Sequence, residues 1–448
     1  MRHGKRLVLN SAANWGRGLI ALFLGLFSCR WALQTFGVEG YGLWTLCCSA
    51  STIAFSLHTM ISAATQRFLS VAVGESETNG ADVLSSWRTV SARAHITVAV
   101  LIIALSMPLL VGWLGAISGV PEKLIGECRM VVLALLVQGF AMMVNTPNRQ
   151  LFVAHQSMVE PAVWGTLGVA LNFSVLCWMV YHPGEWLVRY VFLMAVANVA
   201  IEVCMGVRAR YLFSHAFKID AAATDTVGAK SMFGRLVRFA GWRMVADGGN
   251  ILGTHGFNIL VSRMLGYSFA GGVGIARSIT NHANALASSI GAAFEPAMAN
   301  DAGRSSGIGR RMVYRACLWQ TGAYLLCAVP IWFFADKILS VWLKTPPPGC
   351  VTAVRWLLAA AVAGAFGCSF FNAVSATGRV MKLYIGVGVL HLLALPLGVA
   401  ITKMVTGFGG LSGLCCGFFI SQTIVAVWDW HCFNEAWKTA GSDVPNER

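Results

Sequence analysis

Apolar runs of about 20 residues recur along the whole chain and are separated by short polar segments. A run of this length is what an α-helix needs to cross a hydrocarbon core about 30 Å thick. The longest polar connection, at residues 208–234, divides the runs into two sets of six. The pattern predicts twelve membrane spans, at residues 10–34, 42–65, 94–115, 129–153, 162–181, 186–207, 236–264, 268–295, 313–335, 353–376, 382–402 and 409–432.

The two sets of spans also resemble each other in sequence. Gly40-Tyr41-Gly42 opens span two and residues 271–274, which are rich in glycine, open span eight, at a shift of about 229 residues. Because both sets contain six spans and start on the same side, the repeats are parallel, which is one of the known arrangements in transporters. We therefore predict an all-α polytopic membrane protein of about twelve helices, in two six-helix bundles around a central cavity. The predicted divisions are an N-terminal bundle at 1–215, a cytoplasmic linker at 216–235, a C-terminal bundle at 236–434 and a cytoplasmic tail at 435–448.

Composition and charge agree with this interpretation. Charged residues make up 12% of the chain, and the mean hydropathy is +0.65, whereas soluble domains contain about 25% charged residues. The net charge of +14 comes from basic residues spread over many loops, a pattern that predicts no nucleic-acid partner. With cytoplasmic termini, 21 of the 33 basic residues fall in cytoplasmic segments and nine outside, as the positive-inside rule requires. We predict a multi-pass protein with both termini in the cytoplasm.

Polar residues recur at helical spacing inside several spans. In spans seven and eight the steps are three or four residues, so the polar side chains of each span share one helix face. Span two has a gentler stripe of serine and threonine, and span one contributes an arginine. The stripes comprise Arg243, Asp247, Asn250, Thr254 and Asn258 in span seven, Arg277, Asn281, Asn284 and Ser288 in span eight, and Arg17 in span one.

These stripes predict a wetted cavity rather than a lipid-facing surface. An arginine at the bilayer centre costs about 2.5–3.5 kcal/mol even on the translocon insertion scale. The alternative is hydrogen bonding between packed helices, which Ser, Thr and Asn commonly make in membranes. Arg243 and Asp247, one turn apart, can also neutralise each other in part. The predicted substrate-binding residues of the cavity are Arg17, Arg243, Arg277, Asn250, Asn281 and Asn284, and Asp247 is the candidate for ion coupling.

The sign of the buried charge indicates the kind of cargo. Counted from the sequence, the deep ionisable residues are three arginines against one aspartate. A cationic cavity favours an anionic cargo, and the planar guanidinium group suits phosphate oxygens. The sequence therefore points to a substrate that carries phosphate.

No catalytic or metal-binding motif competes with transport. The sequence lacks a Walker A segment, GxSxG and HExxH, so nothing indicates ATP hydrolysis or a familiar hydrolase. The 13 cysteines lie in apolar stretches without CxxC or zinc-ligand spacing. We predict that the chain is not an enzyme and that it needs no metal or cofactor.

Three segments resemble the polysaccharide transporter family. They are the loop Phe36-Gly37-Val38-Glu39-Gly40-Tyr41-Gly42-Leu43-Trp44, the turn at Ala154-His155-Gln156 and the turn at Ser375-Ala376-Thr377-Gly378-Arg379. That family contains the O-antigen and exopolysaccharide flippases, in a superfamily shared with multidrug and toxin extrusion transporters. The resemblance implies a V-shaped pair of bundles, alternating access and a bacterial inner-membrane location.

The resemblance also implies a cargo, an undecaprenyl-diphosphate-linked oligosaccharide moved across the bacterial inner membrane. Arg17, Arg243 and Arg277 would hold the diphosphate, while Asn and Ser side chains would contact the sugar. The implied partners are this lipid-linked anionic glycan and membrane lipids, with a polysaccharide polymerase and glycosyltransferases as candidate protein partners. Two alternatives stay open: a cation-coupled multidrug and toxin extrusion transporter, and a non-transporting scaffold of a polysaccharide assembly complex.

Overall fold

The computed structural model describes residues 2–79, 82–108, 120–155, 157–182, 186–217, 226–302, 309–377, 381–404 and 410–442. Every regular element in this part of the chain is helical. The α-helices are α1 (Arg2–Asn79), α2 (Asp82–Ser106), α3 (Glu122–Ala154), α4 (Val159–Tyr181), α5 (Trp186–Leu212), α6 (Thr226–Leu265), α7 (Tyr267–Ala302), α8 (Arg310–Phe333), α9 (Ala335–Leu343), α10 (Cys350–Thr377), α11 (Met381–Leu392), α12 (Ala394–Met404) and α13 (Gly410–Ser442). The predicted all-α class is confirmed.

Nine stretches of the described helices are long and apolar enough to cross a membrane. The first, Gly16–Ser56, covers most of predicted span one and most of predicted span two. The other eight correspond to predicted spans three to six and nine to twelve. Spans seven and eight became α6 and α7, which are long helices but are not among the nine. Their polar stripes explain this difference, because the same residues that predicted a cavity lower the hydropathy of the two helices.

The predicted turn between spans one and two is a kink at a single glycine inside α1. Gly37 has φ 70° and ψ 177°, outside the helical region, and the chain is helical on both sides of it. A positive φ of this size favours glycine, because a Cβ atom would clash with the backbone. The break that the sequence predicted at Phe36-Gly37 is therefore present, as a sharp bend without a loop.

Three helix boundaries in the C-terminal half differ from the sequence prediction. Predicted span eleven is divided at Leu393 into α11 and α12, where Pro396 follows within the first turn of the second helix, a position that proline tolerates. A short helix, α9, follows α8. Finally, α13 continues to Ser442. The prediction ended this span at residue 432, because the polar residues that follow resembled a loop.

The chain divides into two compact units, Met1–Gly241 and Trp242–Arg448. In the first unit, α1 packs against α2, α3 and α4, and α3 packs against α5. One of its buried clusters brings together Leu69, Trp87, Phe152 and Phe213. The core of this unit is thus built from large side chains that interlock between helices.

The second unit contains helices whose backbones approach each other directly. Gly249 of α6 lies against Gly388 of α11, so closely that a Cβ atom at either position would overlap the backbone of the other helix. One turn further, a Cβ atom at Gly253 would lie 2.6 Å from the carbonyl oxygen of His391. Small residues allow such close helix packing in membranes. This contact holds α6 tightly against α11.

Candidate functional site

A cavity of about 370 Å³ lies inside the second unit. Helices α6, α7, α8, α10, α11 and α13 all contribute residues to its wall. Four of the predicted site residues, Asn250, Arg277, Asn281 and Asn284, line it together. The helical spacing of the polar stripes therefore placed these side chains on the faces of α6 and α7 that border one cavity, and their role in binding stays a prediction.

Arg277 is the cationic group among the described residues that line this cavity. One terminal nitrogen of its guanidinium group donates a hydrogen bond of 2.7 Å to the carbonyl oxygen of Thr254. The other terminal nitrogen is buried and has no hydrogen-bond partner among the described residues. The ring of Phe418 lies 6.0 Å from the guanidinium carbon, at the limit of a cation–π contact. This geometry leaves one donor of the guanidinium group unsatisfied within the described part of the chain.

The other polar groups of the cavity wall are neutral amides, two threonine hydroxyls, a thiol and an imidazole. Gln320 accepts a hydrogen bond of 3.1 Å from the hydroxyl of Ser369, and Gln422 and His391 also line the cavity. His391 Nδ1 lies 2.8 Å from the carbonyl oxygen of Val387, so this nitrogen is the donor and Nε2 is the acceptor when the ring is neutral. No carboxylate is among the described residues that line the cavity.

Apolar residues complete the wall. Leu357, Phe418 and the alanines of α10 stand beside the amides, so the cavity offers both apolar surface and a few oriented polar groups. This mixture is typical of sites for small organic ligands. Sequence reasoning missed Gln320, His391 and Gln422, because none of them belongs to a polar stripe with helical spacing.

A second cavity, of about 260 Å³, lies inside the first unit. Its wall includes Arg17, Arg149 and Glu202. Arg149 forms an ion pair with Glu202, and Glu202 also accepts a hydrogen bond of 2.8 Å from the side-chain amide of Asn145. Sequence reasoning predicted Arg17 here and missed the ion pair. The structure thus places Arg17 and Arg277 in two different cavities, one in each unit.

Two further predicted residues are placed less completely. Arg243 belongs to α6, but its side chain lies outside the described part of the structure. Asp247 is a half-buried residue of α6 and is not among the described residues that line either cavity. Its predicted role in ion coupling stays a prediction.

The sequence-based count of one deep acid against three arginines is wrong for the buried residues. Glu202 and Asp429 are 8% and 4% exposed and lie inside α5 and α13. Both fall near the cytoplasmic ends of predicted spans, and neither was included in that count. Among the described residues, no cluster of three or more His, Cys, Asp or Glu side chains could hold a metal ion.

We compared the chain with known protein families, curated proteins and solved structures. No protein-family model matches the sequence, and no curated protein sequence matches it. Solved structures do match over nearly the full length. A multidrug resistance MATE family transporter of the MOP superfamily in its inward-facing conformation is 14% identical, with a TM-score of 0.64 over 97% of this chain and 99% of that chain. The outward-facing conformation of such a transporter gives 14% identity and a TM-score of 0.67 over 98% and 97%.

A third match is described by the polarity of its binding pocket. It is a MOP superfamily transporter from Pyrococcus furiosus, described as having a binding pocket of reverse polarity that suggests a different function. Its identity is 13% and its TM-score 0.65, over 97% of this chain and 95% of that chain. The matched structures belong to the superfamily that the resemblance named, while the place of this chain in it and in the polysaccharide transporter family stays a prediction. The chain has the helical membrane fold that is seen in MATE transporters of the MOP superfamily.

Proposed function

We propose that the chain is a secondary transporter of the multidrug and toxin extrusion type, which exports its cargo by alternating access. The observation that carries the proposal is the full-length similarity to MATE structures in both inward-facing and outward-facing conformations. This fold likeness supports the extrusion alternative of the sequence analysis better than the flippase. The absence of a Walker A segment in the sequence agrees with transport that does not use ATP hydrolysis by this chain.

The cavity of the second unit is the proposed cargo site. The unpartnered nitrogen of Arg277 would bind an oxygen of the cargo, and the amide groups of Asn281 and Gln422 would orient it. Phe418 and Leu357 would cover an apolar part. Such a site suits an amphiphile with an anionic or oxygen-rich end, because it offers a cation and donors beside apolar surface.

Transport by the purified chain in liposomes tests this proposal. Two fluorescent amphiphiles of similar size, one anionic and one cationic, would be followed across the membrane of sealed vesicles. We expect protein-dependent movement, faster for the anionic dye, and a loss of that preference in Arg277→Gln. Arg355→Gln is a matched control, because Arg355 lies in the same unit but outside the cavity and pairs with Asp336. Vesicles that show no protein-dependent movement of either dye contradict the proposal.

A second candidate function is flipping of a lipid-linked oligosaccharide. It is favoured by one observation, an arginine in a cavity whose described lining residues include no carboxylate. A diphosphate would bind Arg277 by charge-assisted hydrogen bonds, and the amides would meet the sugar. The reverse polarity attributed to the pocket of the Pyrococcus furiosus protein is consistent with variation of cargo charge on this fold.

Leaflet exchange distinguishes this second candidate. A fluorescent polyprenyl-diphosphate-linked oligosaccharide would be placed in liposomes that contain the purified chain, and its exposure on the outer leaflet would be measured with a membrane-impermeant quencher. Protein-dependent exchange that Arg277→Gln abolishes supports the flippase. Dye transport without exchange of the lipid-linked sugar leaves the extrusion function alone.

A further inference from the structure

The carboxyl group of Asp429 is buried inside α13, among apolar side chains. The residue is 4% exposed and lies within a stretch of α13 that can cross a membrane. On the same helix face, Val425 is one turn before it and Cys432 and Phe433 are one turn after it, all three in a buried apolar cluster. An acidic residue in this position has no role in packing that an apolar residue could not fill.

The neighbouring helix is shaped to admit the carboxyl group. A Cβ atom at Gly367 of α10 would lie 2.8 Å from Asp429 Oδ2 and 2.9 Å from the Cα atom of Ala426. Glycine at this position therefore leaves space for the carboxyl group where two helices meet. The other oxygen, Oδ1, is buried and has no hydrogen-bond partner among the described residues.

The charged groups near this region have contacts of their own. Lys382 Nζ lies 2.5 Å from Glu435 Oε2, and His431 Nε2 lies 3.2 Å from Glu435 Oε1. Tyr314 accepts a hydrogen bond from the indole nitrogen of Trp430. The titratable and charged side chains of α13 and of the helices packed around this cluster include His431, Cys432 and Glu435 in α13, Arg355 and Cys368 in α10, Lys382, Tyr384 and His391 in α11, Lys403 in α12, Arg310, Arg311, Tyr314, Arg315 and Cys317 in α8, and Asp247 in α6.

None of the ion pairs found among the described residues includes Asp429. Cys432, one turn away, is a weak donor and supplies no positive charge. A carboxylate ion without a partner is expensive to bury in an apolar environment, so such a group takes up a proton and becomes neutral. Acidic residues retained inside membrane helices commonly mark proton or ion pathways.

We propose that Asp429 is a proton-binding site that couples proton movement to transport by this chain. The inference rests on the proposed transport function and assigns its driving ion. In the conformation described here the buried carboxyl group holds a proton. In the opposite conformation the carboxyl group reaches water and releases that proton, so one proton enters and leaves per cycle without any change of oxidation state.

A proton gradient across liposomes tests the proposal. A cargo exchanged for one proton can be accumulated at most about 100-fold by a gradient of about two pH units. We expect the gradient to increase accumulation of the transported dye several-fold in the wild type and not at all in Asp429→Asn. This variant should still move dye down its own concentration gradient, because an amide resembles the protonated carboxyl group in shape.

A control variant gives the comparison its meaning. Glu435→Gln changes an exposed acid on the same helix and should respond to the gradient as the wild type does. An Asp429→Asn protein that responds like the wild type overturns the proposal, and so does a wild-type protein that moves dye independently of the gradient. A wild-type protein that moves no cargo contradicts the proposed function instead.

A spectroscopic measurement applies even if Asp429→Asn fails to fold. Infrared spectra of the purified wild-type protein should contain the carbonyl band of a protonated carboxyl group at neutral pH. Asp429→Asn, where it folds, should lack that band, and Glu202→Gln should retain it because Glu202 is paired with Arg149. Absence of the band from the wild type at neutral pH overturns the proposal without any variant.

Discussion

The two units of this chain each contain a polar cavity, but the arginine side chains in the two cavity walls have different kinds of partner. In the first unit, Arg149 is neutralised by Glu202, and Asn145 adds a hydrogen bond to the same carboxylate. In the second unit, Arg277 is held by a backbone carbonyl group, and one of its nitrogens has no partner within the described part of the chain. The helix contacts differ as well. Gly388 meets the backbone of α6, whereas Gly139 of the first unit meets the ring of Phe55.

The difference indicates that the charge of Arg149 stabilises the fold, whereas the charge of Arg277 can bind a ligand. A paired and hydrogen-bonded arginine has its charge satisfied within the fold, and removing its partner damages the fold. An arginine that is only partly satisfied is positioned by the fold but keeps a donor for a ligand. We infer that the cavity of the first unit contributes mainly to stability, and that the cavity of the second unit recognises cargo.

The largest expected effect comes from removing the acid of the ion pair. Breaking a buried ion pair costs about 3–5 kcal/mol, and because Arg149 is partly exposed we expect about 3 kcal/mol for Glu202→Ala. Unfolding by denaturant in mixed micelles measures this change. The double variant Glu202→Gln with Arg149→Gln should recover most of the loss, since neither partner is left charged. Equal stability of Glu202→Ala and the wild type would contradict a structural role for the pair.

The next effect concerns Arg277. A hydrogen bond to a charged group contributes about 1.5–3 kcal/mol, so Arg277→Gln should weaken binding of an anionic cargo by roughly 10-fold to 100-fold. Protein stability should change little, because no carboxylate depends on this arginine among the described lining residues. Fluorescence titration of the detergent-solubilised protein with the anionic dye measures the affinity. Arg17→Gln is the comparison from the other cavity, and a loss of affinity there as large as in Arg277→Gln would erase the distinction between the units.

A smaller effect on stability is expected where glycine contacts are filled, and it should differ between contacts with a backbone and contacts with a side chain. Overpacking typically costs 1–3 kcal/mol. Gly388→Ala should cost about 2 kcal/mol, because the added methyl group meets the backbone of Val245, which moves only if the helix moves. Gly139→Ala should cost about 1 kcal/mol, since a phenyl ring can rotate away. Gly241→Ala is a control with nothing within 4 Å of the added atom. Thermal unfolding of the three variants in one detergent gives the order, and a reversed order would show that side-chain contacts are the stiffer ones.

The sequence predicted those features that repeat with a helical period. The stripe in α7 placed Arg277, Asn281 and Asn284 on one face because residues three and four apart share a face, and the glycine-rich turn at Gly37 marked a bend. Periodicity says nothing about a polar residue outside a stripe, so Gln320, His391 and Gln422 were not predicted. It also says nothing about which helices meet, so it did not predict that Arg17 and Arg277 each line a cavity within their own unit.

The sequence analysis also failed to identify acidic residues that are buried near the ends of membrane spans. Asp429 lies three residues before the predicted end of the last span, where an acid normally reaches water. In the structure α13 continues to Ser442, and neighbouring helices cover the carboxyl group. Burial of this kind depends on tertiary packing, and the hydropathy of a single segment cannot predict how helices pack against each other.

The most direct test of the central claim uses a cysteine that lines the cavity of the second unit. Cys368 is half-buried there, and a variant with the other cysteines replaced by alanine or serine makes it the single target of a membrane-impermeant maleimide in sealed vesicles. Alternating access predicts that Cys368 reacts from the inside under one set of gradients and from the outside under the other, and that cargo slows both reactions. Labelling from one face of the membrane under every condition would contradict the account.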